Sequence, residues 1–70
     1  MNNKYYAEIE RVFPPTDSAS YQEIYDLCGI NAYSGTASNK FRRAWNDLEA
    51  SGKIEVINKD DEGWKYHINQ

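Results

Sequence analysis

The chain has few of the residues that cross-link small domains. It contains one cysteine, Cys28, and one histidine, His67, among 70 residues. One cysteine cannot close an intramolecular disulfide, and the two side chains together fall short of the four ligands of a structural zinc site. We therefore expect no metal site and no other cofactor. The fold must then depend on its hydrophobic core alone.

Long apolar runs are also missing. No segment approaches the roughly 20 apolar residues that span a bilayer, and residues 1–10 lack the apolar stretch of a secretory signal. We therefore expect a cytoplasmic protein that does not contact a membrane. Hydrophobic residues make up 40% of the chain and charged residues 27%, which is the composition of a globular protein. At this length, residues 1–70 are expected to form a single domain.

The residue patterns of common enzymes are lacking as well. His67 has no serine or cysteine nucleophile pattern beside it. The four glycines are dispersed along the chain rather than grouped in a phosphate-binding loop. Cys28 falls on the apolar face of a predicted helix, where we expect a small buried hydrophobe. The sequence therefore predicts no catalytic residues and no enzymatic activity.

Positive charge is scarce, but it is concentrated. The formal net charge is −3, which is unfavourable for general nucleic-acid binding. Residues 31–53 are the exception, because four basic residues outnumber two acidic residues there. The basic residues are Lys40, Arg42, Arg43 and Lys53, and the acidic residues are Asp47 and Glu49. This segment is therefore the natural place to look for a polyanion-binding surface.

The first half of the chain contains two predicted helices. The first covers about residues 3–13 and must end before Pro14, because a residue that precedes proline is driven out of the helical conformation. The second covers about residues 20–28 and begins with Ser20 and Glu23, which have the spacing of a capping box. The apolar positions of the second helix are Tyr21, Ile24, Leu27 and Cys28.

The third predicted helix, at about residues 36–51, has the strongest periodicity. One stripe of apolar residues recurs at helical spacing and consists of Ala37, Phe41, Ala44, Trp45 and Leu48. Gly52 follows where a helix is expected to stop. At 100° per residue, four polar residues lie opposite the stripe and should face solvent. They are Asn39, Arg42, Arg43 and Asn46.

The last segment changes to the period of a β-strand. Apolar residues alternate with polar ones on both sides of a loop rich in turn formers, which predicts a hairpin at about residues 53–69. The apolar face comprises Ile54, Val56, Trp64, Tyr66 and Ile68, and we expect Trp64 and Tyr66 to be in the core. The predicted fold is therefore α+β, with three helices followed by a C-terminal β-hairpin.

Three runs of residues occur in a recognisable order. They are residues 23–30 (Glu-Ile-Tyr-Asp-Leu-Cys-Gly-Ile), residues 36–38 (Thr-Ala-Ser) and residues 48–54 (Leu-Glu-Ala-Ser-Gly-Lys-Ile). Together they resemble the winged helix-turn-helix superfamily, whose second helix ends in a glycine turn and whose third helix closes before a wing hairpin. The resemblance implies a small bacterial or phage-type DNA-binding domain. Two features depart from it: the span from Thr36 to Leu48 is about one turn longer than in many such regulators, and the wing tip is acidic.

The resemblance also implies which residues would contact DNA. In the superfamily the third helix enters the major groove, so Asn39, Arg42, Arg43 and Asn46 would read base edges. Arginine suits guanine and asparagine suits adenine, because each can form two hydrogen bonds with that base edge. Two further residues nearer the start of the helix would contact phosphates. These are Ser38 and Lys40.

Tyr33 lies in a polar turn, and no apolar pattern predicts its burial. An exposed tyrosine ring can stack on a base or anchor a partner. The alternative is a ring that lies over a neighbouring side chain. Tyr33 therefore joins the candidate nucleic-acid-binding residues.

Three functional hypotheses follow. The first is a winged-helix protein that reads duplex DNA, as a transcriptional regulator or a phage or mobile-element accessory factor, with a homodimer on two half-sites supplying further contacts. The second is a protein-interaction module that uses the acidic wing residues Asp60, Asp61 and Glu62. The third is single-stranded DNA binding, by stacking on Tyr33 and along a basic groove at Lys40 and Arg43. The resemblance favours duplex DNA, whereas the net charge of −3 and the acidic tip favour a protein partner. The target sequence, the partner and the oligomeric state stay open.

Overall fold

The protein consists of three helices followed by an antiparallel hairpin. The structure, a computed structural model, describes residues 3–60 and 63–69, with residues 58–60 described for the backbone alone. The elements are α1 (Tyr5–Val12), α2 (Tyr21–Leu27), α3 (Gly35–Ala50), β1 (Ile54–Asp60) and β2 (Gly63–Ile68). The α+β class predicted from the sequence is confirmed, and the arrangement is consistent with a winged helix.

Local side-chain chemistry fixes the ends of the helices. Phe13, which precedes a proline, is extended (φ −69°, ψ 130°) and ends α1. At α2 the predicted capping box is present: the Glu23 N–H donates to Ser20 Oγ at 3.1 Å, and Glu23 Oε1 accepts from the Ser20 N–H at 3.1 Å. Ser34 caps α3 by accepting from the Ala37 N–H at 3.2 Å. The helices therefore begin and end close to where the sequence predicts.

Two glycines reverse the chain after α2 and α3. Gly29 has φ +66° and Gly52 has φ +84°. Both angles lie in the left-handed region, which glycine adopts without the steric cost that a Cβ atom imposes. Each helix therefore stops at the glycine that the sequence indicates.

The hairpin is anchored at its base and carries an irregularity further out. Ile54 pairs with Ile68, both almost fully buried, and the register shifts at Ile57 as in a β-bulge. Of the three acidic residues predicted at the wing tip, the backbone of Asp60 pairs with Gly63. Asp61 and Glu62 lie outside the described residues, as does the side chain of Asp60.

An additional strand-like contact joins the hairpin to the start of α2. The Ala19 N–H donates to the Tyr66 carbonyl at 3.0 Å, and the Tyr66 N–H donates to the Ala19 carbonyl at 2.8 Å. This isolated bridge satisfies backbone groups on the outer edge of β2. The sequence did not predict it, because a single bridged residue has no periodicity.

Aromatic rings form the centre of the core. Phe41 on α3 is fully buried and contacts Tyr5 on α1 and both Tyr21 and Tyr25 on α2, with ring centroids 5.2–6.0 Å apart. The buried hydrophobic residues are Tyr5, Ile9, Phe13, Ala19, Ile24, Phe41, Ala44, Trp45, Leu48, Ile54 and Ile68. All three helices and both strands thus share one cluster around α3.

Three apolar residues that were expected to pack against other elements are exposed to solvent. Leu27 is 60% exposed because the packed face of α2 is formed by Tyr21, Ile24 and Tyr25, and Leu27 falls at the edge of that face. Trp64 and Val56 are 44% and 41% exposed. The expectation that Trp64 is a core residue was therefore wrong: among the described hairpin residues the buried ones are Ile54 and Ile68, which pair at its base.

Ion pairs and polar contacts tie the surface elements together. Lys65 Nζ on β2 lies 3.0 Å from Glu23 Oε1 on α2, and Lys53 Nζ lies 3.7 Å from Glu10 Oε1 on α1.

Within residues 3–60 and 63–69, no helix is long and apolar enough to cross a membrane.

Replacing the central ring should unfold the domain. Phe41→Ala removes a fully buried side chain with contacts to two other helices, and such truncations cost about 3–5 kcal/mol. We expect the free energy of unfolding, measured by urea denaturation with tryptophan fluorescence, to fall by that amount, or the cooperative transition to be lost. Phe41→Leu is the matched control and should retain a folded state. A Phe41→Ala variant with the wild-type midpoint would contradict this account of the core.

The Glu23–Lys65 pair should make stability depend on pH. The hydrogen bond from Lys65, with a further bond from the Ser20 backbone, lowers the pKa of Glu23 below its usual 4.5. A lowered carboxyl pKa contributes stability above the unfolded-state pKa, and that contribution is lost as the pH falls through the folded-state pKa. In Lys65→Met, carboxyl NMR titration should show the pKa of Glu23 rising towards its usual value, and the acid-induced loss of stability should shrink.

Lys40→Met is the control for that titration. It removes a lysine from α3 that forms no ion pair in the described part of the chain. The Glu23 titration should be unchanged in this variant. An unchanged Glu23 titration in Lys65→Met would show that the pair does not form in solution.

Candidate nucleic-acid interface

One face of α3 is exposed and polar. Phe41, Ala44, Trp45 and Leu48 occupy the core side of the helix. The opposite side presents the four predicted base-reading residues, all of them exposed, namely Asn39, Arg42, Arg43 and Asn46. Their spacing of three, four and seven positions places them on one strip about two turns long. The structure thus brings these four candidates together, and we call this strip the α3 face.

The α3 face is positively charged. No acidic residue occurs between Asn39 and Asn46, whereas two arginines and one lysine do. The nearest acid, Asp47, accepts a hydrogen bond from the Tyr6 hydroxyl on α1, and this bond raises the pKa of Tyr6. The Asp47 carboxylate is therefore held at the side of α3 that packs against α1.

The structure separates the two predicted phosphate-contacting residues. Ser38 is half-buried, and its Oγ lies 2.9 Å from the Tyr25 hydroxyl on α2. Lys40 is exposed on the other side of α3, where its backbone carbonyl accepts from Asn3 Nδ2 at 2.8 Å. At 100° per residue the two side chains point about 160° apart. The Ser38 hydroxyl thus belongs to the contact between α2 and α3, and its contact with phosphate stays a prediction.

Tyr33 is the most exposed large hydrophobic residue in the described part of the chain, at 99%. Its backbone is nevertheless held, because the Tyr33 N–H donates to Asn31 Oδ1 at 2.9 Å and the Ser34 N–H donates to the Asn31 carbonyl at 3.0 Å. The prediction of an exposed ring is confirmed. A fixed turn presents the ring two residues before α3 begins.

Sequence reasoning missed a contact within the α3 face. Arg42 Nη2 donates to Asn39 Oδ1 at 3.2 Å. The spacing of three residues could have indicated it, since such side chains are neighbours on a helix. The Arg43 side chain, by contrast, has no hydrogen-bond or ion-pair partner in residues 3–60 and 63–69.

The described residues hold no cluster of metal-ligand type. In the ranges that the structure covers, no three His, Cys, Asp or Glu side chains come together. Cys28, expected to be a small buried hydrophobe, is half-buried against the core, and burial raises the pKa of its thiol. The exposed polar residues of α3 thus form the most developed candidate site.

Comparison with known proteins finds no matching family model, no matching curated protein and no matching solved structure.

The exposure of Tyr33 predicts that its ring contributes nothing to folding. In Tyr33→Ala the free energy of unfolding should stay within about 0.5 kcal/mol of wild type, as for surface positions. Tyr25→Ala is the contrasting variant, because Tyr25 packs on Phe41 and contacts Ser38, and it should lose more than about 1 kcal/mol. Urea denaturation measures both. A large loss in Tyr33→Ala would mean that its ring is packed in solution.

Proposed function

We propose that this chain is a small DNA-binding protein of the winged helix-turn-helix type that binds duplex DNA through the α3 face. The observation that carries the proposal is the α3 face itself: two arginines and two asparagines on one exposed strip of a helix whose other side is fixed in the core. Arginine and asparagine are the side chains best suited to reading purine edges.

The dimensions of the helix support this function. A B-DNA major groove is about 12 Å wide and admits an α-helix with its side chains. The strip from Asn39 to Asn46 covers about 10 Å along the helix axis at 1.5 Å per residue, enough to face a few base pairs. The side chains of the α3 face extend away from the hydrophobic core, so the groove could be entered without unfolding any element.

Electrostatics favours one orientation on DNA. Residues 14–30 carry three acids and no base, whereas residues 31–53 carry four bases and two acids. A polyanion attracts the second segment and repels the first, which turns α3 towards the duplex. Few cations are available, so one copy should bind modestly and in a salt-dependent way. A homodimer on two half-sites would add the missing contacts, as expected of a transcriptional regulator or a phage accessory factor in the cytoplasm.

Single-stranded DNA is the second candidate ligand, and the exposure of Tyr33 favours it. A fully exposed ring on a fixed turn is suited to stack on an unpaired base. Lys40 and Arg43 are both exposed and could follow the phosphates of such a strand. Tyr33→Ala should then reduce single-strand binding much more than duplex binding.

The decisive test is fluorescence anisotropy with labelled duplex and single-stranded oligonucleotides at low and at moderate salt. We expect wild type to bind duplex and to weaken as salt rises. The double variant Arg42→Ala/Arg43→Ala should bind at least about tenfold more weakly, because it removes both arginines of the α3 face.

The matched control is Lys4→Ala/Arg11→Ala, which also removes two positive charges but from α1 and its N-cap. Its duplex affinity should fall much less. Equal losses in the two double variants would contradict a role specific to α3. Preference for single strands would select the second candidate. Failure of wild type to bind DNA at low salt would instead favour a protein partner, with the acidic residues Asp60, Asp61 and Glu62 as its proposed contact.

A further inference from the structure

The two arginines of the α3 face have different surroundings. Arg42 donates one N–H to Asn39 Oδ1 at 3.2 Å and also lies close enough to Tyr21 on α2 for its charge to oppose the burial-raised pKa of that tyrosine. Arg43 has neither constraint within the described ranges. The Arg42 guanidinium is thus held at the helix surface, whereas the Arg43 guanidinium is not.

The bond to Asn39 leaves Arg42 able to recognise a base. A guanidinium has five N–H donors in a planar fork, and the contact with Asn39 uses one of them. Two adjacent donors are still available for the O6 and N7 acceptors of guanine, which require a pair of roughly parallel hydrogen bonds. Holding the side chain in advance reduces the rotamer entropy lost when that pair forms.

The same bond limits what Asn39 can do. To recognise adenine, an asparagine must accept from N6 through its amide oxygen and donate to N7 through its amide nitrogen. The Oδ1 atom of Asn39 already accepts from Arg42 and keeps one lone pair, so an adenine would have to share this oxygen with Arg42. Asn46 carries no side-chain hydrogen bond within residues 3–60 and 63–69 and keeps both groups available.

We infer that Asn39 is a positioning residue that holds Arg42 for recognition of a guanine in the major groove, and that Arg43 contacts phosphate instead. The DNA site of this protein therefore contains a guanine opposite Arg42. This inference rests on the proposed function, since it assigns roles within the same α3 face.

The experiment begins with selection of bound sequences from a randomised duplex library by the wild-type protein. Each selected guanine is then replaced by 7-deazaguanine, which lacks the N7 acceptor, and affinity is measured by anisotropy. One replacement should weaken wild-type binding about tenfold, as expected for loss of a paired contact. In Arg42→Ala that same replacement should have no further effect.

Variants of Asn39 test the positioning role through the 7-deazaguanine penalty, which is the factor by which that replacement weakens binding. Overall affinity is not the readout. Asn39→Ala should reduce the penalty, because Arg42 is no longer held. Asn39→Asp keeps an acceptor oxygen but lacks the amide donor, so it should retain the penalty even if the added charge weakens binding overall. Arg43→Ala is the control: it should keep the full penalty, weaken all duplexes alike and reduce the salt slope by about one.

Each contrary outcome has its own meaning. A 7-deazaguanine penalty that survives in Arg42→Ala overturns the assignment of Arg42. A penalty for 7-deazaadenine that disappears in Asn39→Ala shows that Asn39 reads adenine itself. Wild type that binds duplex without selecting guanine overturns this inference alone. Wild type that binds no duplex at low salt overturns the proposed function and this inference together.

Discussion

The contact of Phe41 and Trp45 with rings from α1, α2 and β2 is the constraint on which the structure depends. Phe41 packs against Tyr5 on α1 and Tyr25 on α2, and Trp45 packs at 4.9 Å, edge to face, against Tyr66 on β2. Rings of this size bury large apolar areas and favour defined relative orientations. A domain without cross-links must obtain its stability from such contacts, so the rotation of α3 about its axis is fixed by packing.

The candidate site is a consequence of that rotation. Once Phe41 and Trp45 face inwards, the helical period sends Asn39, Arg42 and Arg43 outwards. Neighbouring elements then adjust the charge and the hydrogen bonding of the exposed side. The Tyr6 hydroxyl engages Asp47 at one flank. At the other flank, the Tyr25 hydroxyl on α2 is hydrogen-bonded to the Ser38 hydroxyl, and Ser38 is half-buried.

An acidic protein that binds a polyanion needs its charges separated in space. Of the three acids in residues 14–30, Asp17 precedes α2, and Glu23 and Asp26 lie on α2. Glu23 is paired with Lys65. That pair also joins α2 to the hairpin, so the same interaction offsets the charge of Glu23 and holds two elements together. The fold alone does not determine a function; the proposal depends on which side chains the α3 face presents.

The sequence by itself determined the features that depend on residues within about one turn of each other. The capping box of Ser20 and Glu23, the stop at Gly52 and the apolar stripe of α3 are all local, so propensity and periodicity were enough to predict them. Tertiary structure decided the rest. The bridge from Ala19 to the hairpin, the burial of Ser38 and the exposure of Trp64 depend on how distant elements meet. No local sequence pattern encodes these contacts, because they follow from the packing of the aromatic core as a whole.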